Sequence, residues 1–250
     1  MAELVDALDS GSSGRKPVEV RVFSWAPPSL RKKAKIMTTE IHQQKMTPEI
    51  HFHKYDLPVD VDLGNIIAVD TETMGLNPYR DPLCLVQLSS GNGVCHLVQL
   101  DRETYDAPNL KAILSDLSVL KIFHYARFDV ATLAQHLDIL VAPVFCTKVA
   151  SKLTRTYTYK HGLKDLCRDM LGIDISKEEQ MTDWGAAEFT PAQMKYAATD
   201  VLHLHALKEK FVELMEREGR TEIAEACFSF LPYRSVLDLL GFDNPDIFLH

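Results

Sequence analysis

From Asn65 onward the chain alternates short apolar runs with polar punctuation. Ile66-Ile67-Ala68-Val69 predicts a buried strand, as do Leu83-Cys84-Leu85-Val86-Gln87-Leu88 and Val94-Cys95-His96-Leu97-Val98. Ser89-Ser90-Gly91-Asn92-Gly93 separates the last two and predicts a hairpin. Pro108 to Leu114 predicts a helix, with Leu110, Ile113 and Leu114 at helical spacing. A strand is expected at Leu120 to His124, a helix from Phe128 to Leu137, and a short strand at Val144-Phe145 after Pro143. The remainder is mostly helical. Leu163 to Leu171 ends at Gly172, a C-cap signal. Thr190 as N-cap and Pro191 at the first helical position open a long helix expected to run to Gly219. It carries Ala197, Val201, Leu204, Leu207, Phe211 and Leu214 on one side. A last helix is expected from Thr221 to Phe230, with Pro232 breaking the pattern. The order of elements predicts an α/β domain, a mixed sheet of five to six strands flanked by helices.

Composition narrows the class. With 250 residues, 46% hydrophobic and 25% charged, the chain has globular values, and collagen-like, coiled-coil and wholly disordered readings fall away. A net charge of −8 speaks against coating duplex nucleic acid through a broad basic surface. It leaves room for a site at which metal ions supply the positive charge. The 5 cysteines are widely spaced and form no CxxC, so reduced core thiols in a cytoplasmic protein are expected, not a zinc ribbon or disulfide scaffold. No apolar run approaches the ~18 residues of a membrane span.

Residues 1–45 stand apart, with Ser/Gly punctuation, the Pro27-Pro28 pair and a basic cluster of Arg31, Lys32, Lys33 and Lys35. They are expected to be a disordered or non-native extension, and residues 46–250 the functional domain. Glu19-Val20-Arg21-Val22 is encodable as a tRNA T-loop and Trp25-Ala26-Pro27 as an acceptor tail. The expectation is therefore that the upstream codons overlap a tRNA gene and that the native start is Met37 or Met46. Because the extension is net basic, the remaining domain is more acidic than the whole chain.

Three acidic pieces carry the candidate chemistry. Asp70-Thr71-Glu72 follows the first buried strand, and alternation points Asp70 and Glu72 the same way, ~7 Å apart along the backbone. Asp129, in HYARFD, lies just inside a helix where its charge meets the positive helix end. Tyr196 and Asp200, in YAATD, share one helical face at i and i+4. Each piece alone reads as a junction, a cap or a buried hydrogen bond. Four converging carboxylates are a hard-oxygen site for Mg²⁺ or Mn²⁺, not for zinc.

DTETMGL, HYARFD and YAATD resemble the three motifs of the DEDD 3′–5′ exonucleases. The tyrosine four residues before the last Asp resembles the DEDDy branch, which includes ribonuclease D; the sister branch has His where Lys195 stands. FCTKVASKLTRTYT, HGLKDLC, ISKEEQMTDW and RTEIAEACFSFLPYRSVLDLLGF resemble the nanoRNase C-type oligoribonucleases, over about residues 48–250. The resemblance implies a ribonuclease H-like, DnaQ-like exonuclease fold and two divalent cations, Mg²⁺ or Mn²⁺. It implies that Asp70, Glu72 and Asp200 hold the ion that activates water. Asp70, bridging, and Asp129 would hold the ion at the leaving oxygen, while Tyr196 positions the attacking water. It further implies a homo-oligomer, an octameric ring, and nucleoside 5′-monophosphate products.

Short single-stranded RNA is the expected partner. Few basic stretches are available for a long run of phosphate contacts. Lys148, Lys152 and Arg155 fall at i, i+4 and i+7, with Lys160, His161 and Lys164 nearby, a cluster able to meet a terminal phosphate. Leu76 is expected to wedge against a base, and His124 to stack on one or pack under Asp129. About fifty residues follow Asp200, fewer than the extra helical domains of ribonuclease D need, which favours oligonucleotides over tRNA ends. Ribonuclease D-like trimming, DNA exonuclease activity and non-catalytic RNA binding are the alternatives. The intact set of Asp70, Glu72, Asp129, Tyr196 and Asp200 argues against the last.

Overall fold

The apolar run after Asn65 becomes an inner strand of a six-stranded mixed sheet. The computed structural model describes residues 48–175, 182–243 and 247. The extension expected at 1–45 and part of the ISKEEQMTDW segment lie outside the described residues. The strands are β1 (Glu49–Lys54), β2 (Ile66–Thr73), β3 (Leu83–Ser89), β4 (Val94–Gln99), β5 (Leu120–Phe123) and β6 (Val144–Cys146). Their spatial order is β1-β4-β3-β2-β5-β6. β3 runs antiparallel to both β2 and β4, while the pairs β1–β4, β2–β5 and β5–β6 are parallel. Every residue of β3 is buried, which is why it reads as a continuous apolar run and not as an alternation. Gly91 and Gly93 take φ of +82° and +88° in the hairpin between β3 and β4, the backbone freedom the glycines supply.

The helices are α1 (Pro108–Ser115), α2 (Ala126–Leu137), α3 (Thr147–Thr154), α4 (Leu163–Leu166), α5 (Pro191–Leu202), α6 (Leu204–Arg217) and α7 (Thr221–Leu239). α4 continues as a π-helical turn, Cys167–Leu171, and Gly172 closes it at φ +70°. Thr190 caps α5 reciprocally. Its hydroxyl accepts from the Gln193 amide at 3.2 Å, and its own amide donates to Gln193 Oε1 at 2.9 Å.

The structure departs from the sequence expectation at three elements. β1 was not anticipated. Its half-buried Ile50 and Phe52 alternate with Glu49, His51 and His53, but the strand is short and sits at the sheet edge. The long helix expected from Pro191 to Gly219 breaks at His203, where φ is −104° and ψ −5°. The break has a packing cause: α5 lies across β2, β3 and β4, whereas α6 packs against α3. Pro232 does not end α7; it sits buried inside it, beside buried Leu231 and Arg234. Losing one backbone hydrogen bond there costs about 3 kcal/mol, which the buried face offsets.

α7 packs along α2. Asp238 receives Arg127 Nε at 2.6 Å and Nη2 at 2.8 Å, and Arg234 Nη1 at 2.9 Å. The Ser235 hydroxyl donates to the Arg127 carbonyl at 3.1 Å. This clamp fixes the first turn of α2, which also carries Asp129.

Candidate active site

β2 serves two layers at once because its side chains alternate. Asp70 and Glu72 face α5, where Asp200 stands. One carboxylate oxygen from each of Asp70, Glu72 and Asp200 lies within 4.8 Å of the others. Thr71, pointing the opposite way, donates its hydroxyl to Asp129 Oδ1 at 2.7 Å. Asp129, in the first turn of α2, is buried. The β2–β3 register pairs Asp70 with Gln87 and Glu72 with Leu85, then shifts between Glu72 and Thr73. The irregularity turns the strand out of the ladder directly after the second carboxylate.

The electrostatics follow from this crowding. Asp70 is pushed well above the usual carboxylate range, first by burial and then by the charges of Asp129, Asp200 and Glu72. Glu72 is pushed up likewise, by burial and then by Asp200 and Asp129. Asp129 rises to about 7 through burial, while the Thr71 hydrogen bond pulls in the opposite direction. The Tyr196 phenol is pushed far up by burial, by Asp200, Glu72 and Asp70, and by its hydrogen bond to Asp200. It therefore stays protonated, suited to hold a hydrogen bond and not to act as a base. The charges that act on Asp70 and Glu72 are all carboxylates, so the cluster is a candidate cation site made only of oxygen donors.

Two loops adjoin the elements that carry the acids. After β2 the chain turns so tightly that a Cβ on Gly75 would lie 2.1 Å from Asp81 Oδ2. Asp81 in turn accepts from the Asn77 amide at 3.0 Å and from Arg80 Nε at 2.6 Å. This knot presents Leu76 with 89% of its surface exposed. On the other side Trp184 is buried against Tyr196, ring centroids 6.1 Å apart. Gln193 ties that loop to α5 by donating to Thr182 Oγ1 at 3.2 Å and the Asp183 carbonyl at 3.3 Å.

The residues expected to touch substrate divide. The His124 ring nitrogen Nδ1 contacts Thr147 Oγ1 at 2.9 Å, which anchors the ring on α3. Lys152 is exposed on α3, and His161 Nδ1 contacts Ser151 Oγ at 2.8 Å. Burial lowers the His161 imidazole, and the charges of Arg155, Lys152 and Lys148 lower it further, so these four groups share one region. Arg155 departs from its expected role. It follows the last turn of α3, is only 4% exposed, and donates to Asp169 at 2.7 Å and to the Lys160 carbonyl at 2.9 Å. It braces the 155–169 segment and presents little charge to solvent.

Sequence reasoning missed two polar groups around the acids. Thr71 was passed over as the middle of DTE, although alternation alone places it on the opposite face. Gln87 was absorbed into a strand. It is fully buried, stands opposite Asp70, and neither amide atom has a hydrogen-bond partner among the described residues. A lone amide in an otherwise apolar run was the available signal.

The 3′–5′ exonuclease family model matches residues 52–216 of this chain. The chain belongs to the 3′–5′ exonuclease family. This 3′–5′ exonuclease chain is 33% identical over 156 residues to ribonuclease D of Gluconacetobacter diazotrophicus, covering 62% of this chain and 39% of that protein. It thus spans about two fifths of the length of the ribonuclease D relatives it matches. Brucella melitensis NrnC with bound Mg²⁺ is 51% identical, with a TM-score of 0.77 over 81% of this chain and 99% of that one. The same Brucella protein bound to pGG matches with a TM-score of 0.79, 51% identity, and coverage of 82% and 100%. Escherichia coli RNase D matches with a TM-score of 0.60 at 26% identity, over 68% of this chain and 45% of that one. The exonuclease thus lies in the DEDDy, ribonuclease D superfamily, with NrnC-like relatives.

Proposed function

We propose that the chain is a two-metal-ion 3′–5′ exoribonuclease that degrades short oligoribonucleotides, down to dinucleotides, to nucleoside 5′-monophosphates. The observation that carries this reading is the acidic centre: Asp70, Glu72 and Asp200 converge while burial and mutual repulsion push Asp70 and Glu72 toward protonation. Such a set fits Mg²⁺ or Mn²⁺, and the unpartnered Gln87 amide beside it suits a hydrated ion. Brucella NrnC, similar over most of this chain, has been seen with Mg²⁺ and with pGG.

Bound cations supply Lewis acidity and offset the charge of the scissile phosphate. Asp70, Glu72, Asp129 and Asp200 hold them. The Tyr196 hydroxyl, protonated and tied to Asp200, accepts a hydrogen bond from the attacking water and keeps it in line. Leu76, projecting from its knotted loop, packs against the terminal base. Lys152 and His161 meet the phosphate at the far end of a short substrate, while His124 is held on α3 by its contact with Thr147. A chain with this little concentrated positive charge gains little from each added phosphate of a long RNA.

All five cysteines are free thiols, which suits a reducing cytoplasm. Among the described residues no helix is long and apolar enough to cross a membrane. An apolar groove formed with Leu117, Leu140, Val144, Phe145, Val212 and Tyr233 suits self-association into the ring that the resemblance implies. A mass measurement in solution checks it.

The function is tested with Mn²⁺ or Mg²⁺ on labelled RNA of two, seven and twenty nucleotides beside matched DNA. The short RNAs should turn over fastest. Equal rates at every RNA length would replace this reading with ribonuclease D-like trimming, and preference for DNA would replace it with a DNA exonuclease.

A further inference from the structure

The edge of the sheet carries a second group of ligating side chains, unrelated to the acids. Glu49, His51 and His53 are alternate residues of β1, and His96 on β4 is the register partner of His51. Alternation puts all four on one face. Register carried across the sheet, from His96 to Leu88 to Val69, puts them on the face opposite Asp70 and Glu72. The three imidazole planes are nearly parallel. The His96 ring centroid lies 5.2 Å from that of His51 and 5.3 Å from that of His53, with interplanar angles of 16° and 11°.

We propose that His53 and His96, joined by His51, bind one borderline divalent transition cation of the Zn²⁺ class. His53 Nε2 and His96 Nδ1 lie 3.1 Å apart. Two imidazole nitrogens bound tetrahedrally to Zn²⁺ are ~3.3 Å apart, given Zn–N bonds of about 2.0–2.1 Å. The pair already has the bite of a chelate. Without an ion the contact needs a donor on one ring and an acceptor on the other, so a cation takes the place of one proton. The third ring is prepared by a carboxylate, since His51 Nε2 lies 2.7 Å from Glu49 Oε1. That contact leaves Nδ1 as the ligand atom once the exposed His51 side chain turns. Imidazole donors select Zn²⁺, Ni²⁺ or Cu²⁺ and leave Mg²⁺ to the all-oxygen centre. The bound ion staples β1, the edge strand, to β4.

The test is calorimetric titration of Zn²⁺ into the full chain in excess Mg²⁺, with imidazole resonances followed by NMR. Wild type should bind one equivalent that shifts the His53 and His96 signals. His96→Ala and His53→Gln should each weaken it by roughly tenfold or more, and Glu49→Gln by less. Asp70→Asn should leave it intact. Using both His variants guards against one failing to fold, which far-UV circular dichroism reports. Unchanged Zn²⁺ affinity in the folded His variants, no equivalent bound by wild type, or its loss in Asp70→Asn would each overturn the site.

Discussion

A recessed single carboxylate and a recessed cluster of carboxylates lie near α2, and they are built in opposite ways. Asp238 is 10% exposed and receives three hydrogen bonds from Arg127 and Arg234, so its charge is answered inside the protein. For Asp70 and Glu72, every neighbouring charge that shifts them is another carboxylate. The first arrangement holds α7 to α2 and asks for nothing further. The second leaves its charge unanswered within the described residues, so its carboxyls favour a proton or a cation. Both look alike in composition, yet one is architecture and the other is a site, and what separates them is whether the chain supplies the counter-charge.

Removing one acid from each arrangement should break the molecule in different ways. Asp70→Asn is expected to lower turnover by roughly a thousandfold or more, the scale of a lost metal ligand. Its ion-free thermal stability should stay level or rise, because repulsion is relieved. Asp238→Asn is expected to cost about 3–5 kcal/mol of folding stability, since it leaves two guanidinium groups without their carboxylate. Its folded fraction should keep its affinity for Mn²⁺. Chemical denaturation and metal titration on both variants measure this, and a stability loss in Asp70→Asn equal to that of Asp238→Asn would erase the distinction.

Much of this contrast was legible in the sequence. Asp70, Glu72, Asp129, Tyr196 and Asp200 stood out because strand alternation and helical spacing limit where their side chains can point. Buried runs such as Leu83 to Leu88 were legible because β3 is covered on both faces. The bracing role of Arg155 is not legible, because helical spacing cannot show that α3 ends before it and that Asp169 stands opposite. The break at His203 was hidden because both halves keep a helical apolar stripe and differ only in what they pack on. Pro232 misled because its local cost is visible in sequence while the buried face that offsets it is not.

Tyr196→Phe sharpens the comparison on the chemical side. The phenol is held protonated by the acids, so its loss should slow kcat by about ten- to a hundredfold with little change in KM. An equal rise in KM would assign Tyr196 to substrate binding. The pH dependence of stability is the corresponding thermodynamic test. Asp129 has a folded value of about 7, above its ordinary 3.8, so the folded state binds the extra proton between those limits. The contribution of Asp129 to stability without divalent ions should therefore be full below about pH 4 and be lost as pH rises through 7, with raised Asp70 and Glu72 adding to the slope. Cations bind the deprotonated acids, so Mn²⁺ should flatten the fall. Thermal midpoints from pH 5 to 8 with and without Mn²⁺ check it, and identical slopes would remove the acids as its cause.

Gln87 offers the smallest effect and the finest discrimination. Its amide is fully buried opposite Asp70 and has no hydrogen-bond partner among the described residues. Burying such a group costs about 1–3 kcal/mol, a cost that an apolar side chain of similar size would avoid. If the amide serves the acidic centre, Gln87→Leu should gain up to about 1 kcal/mol of stability and lose several-fold in turnover. Denaturation and single-turnover kinetics on the same variant separate the two effects. A gain in stability with no loss in rate would move Gln87 out of the site and leave it an unsatisfied amide in the core.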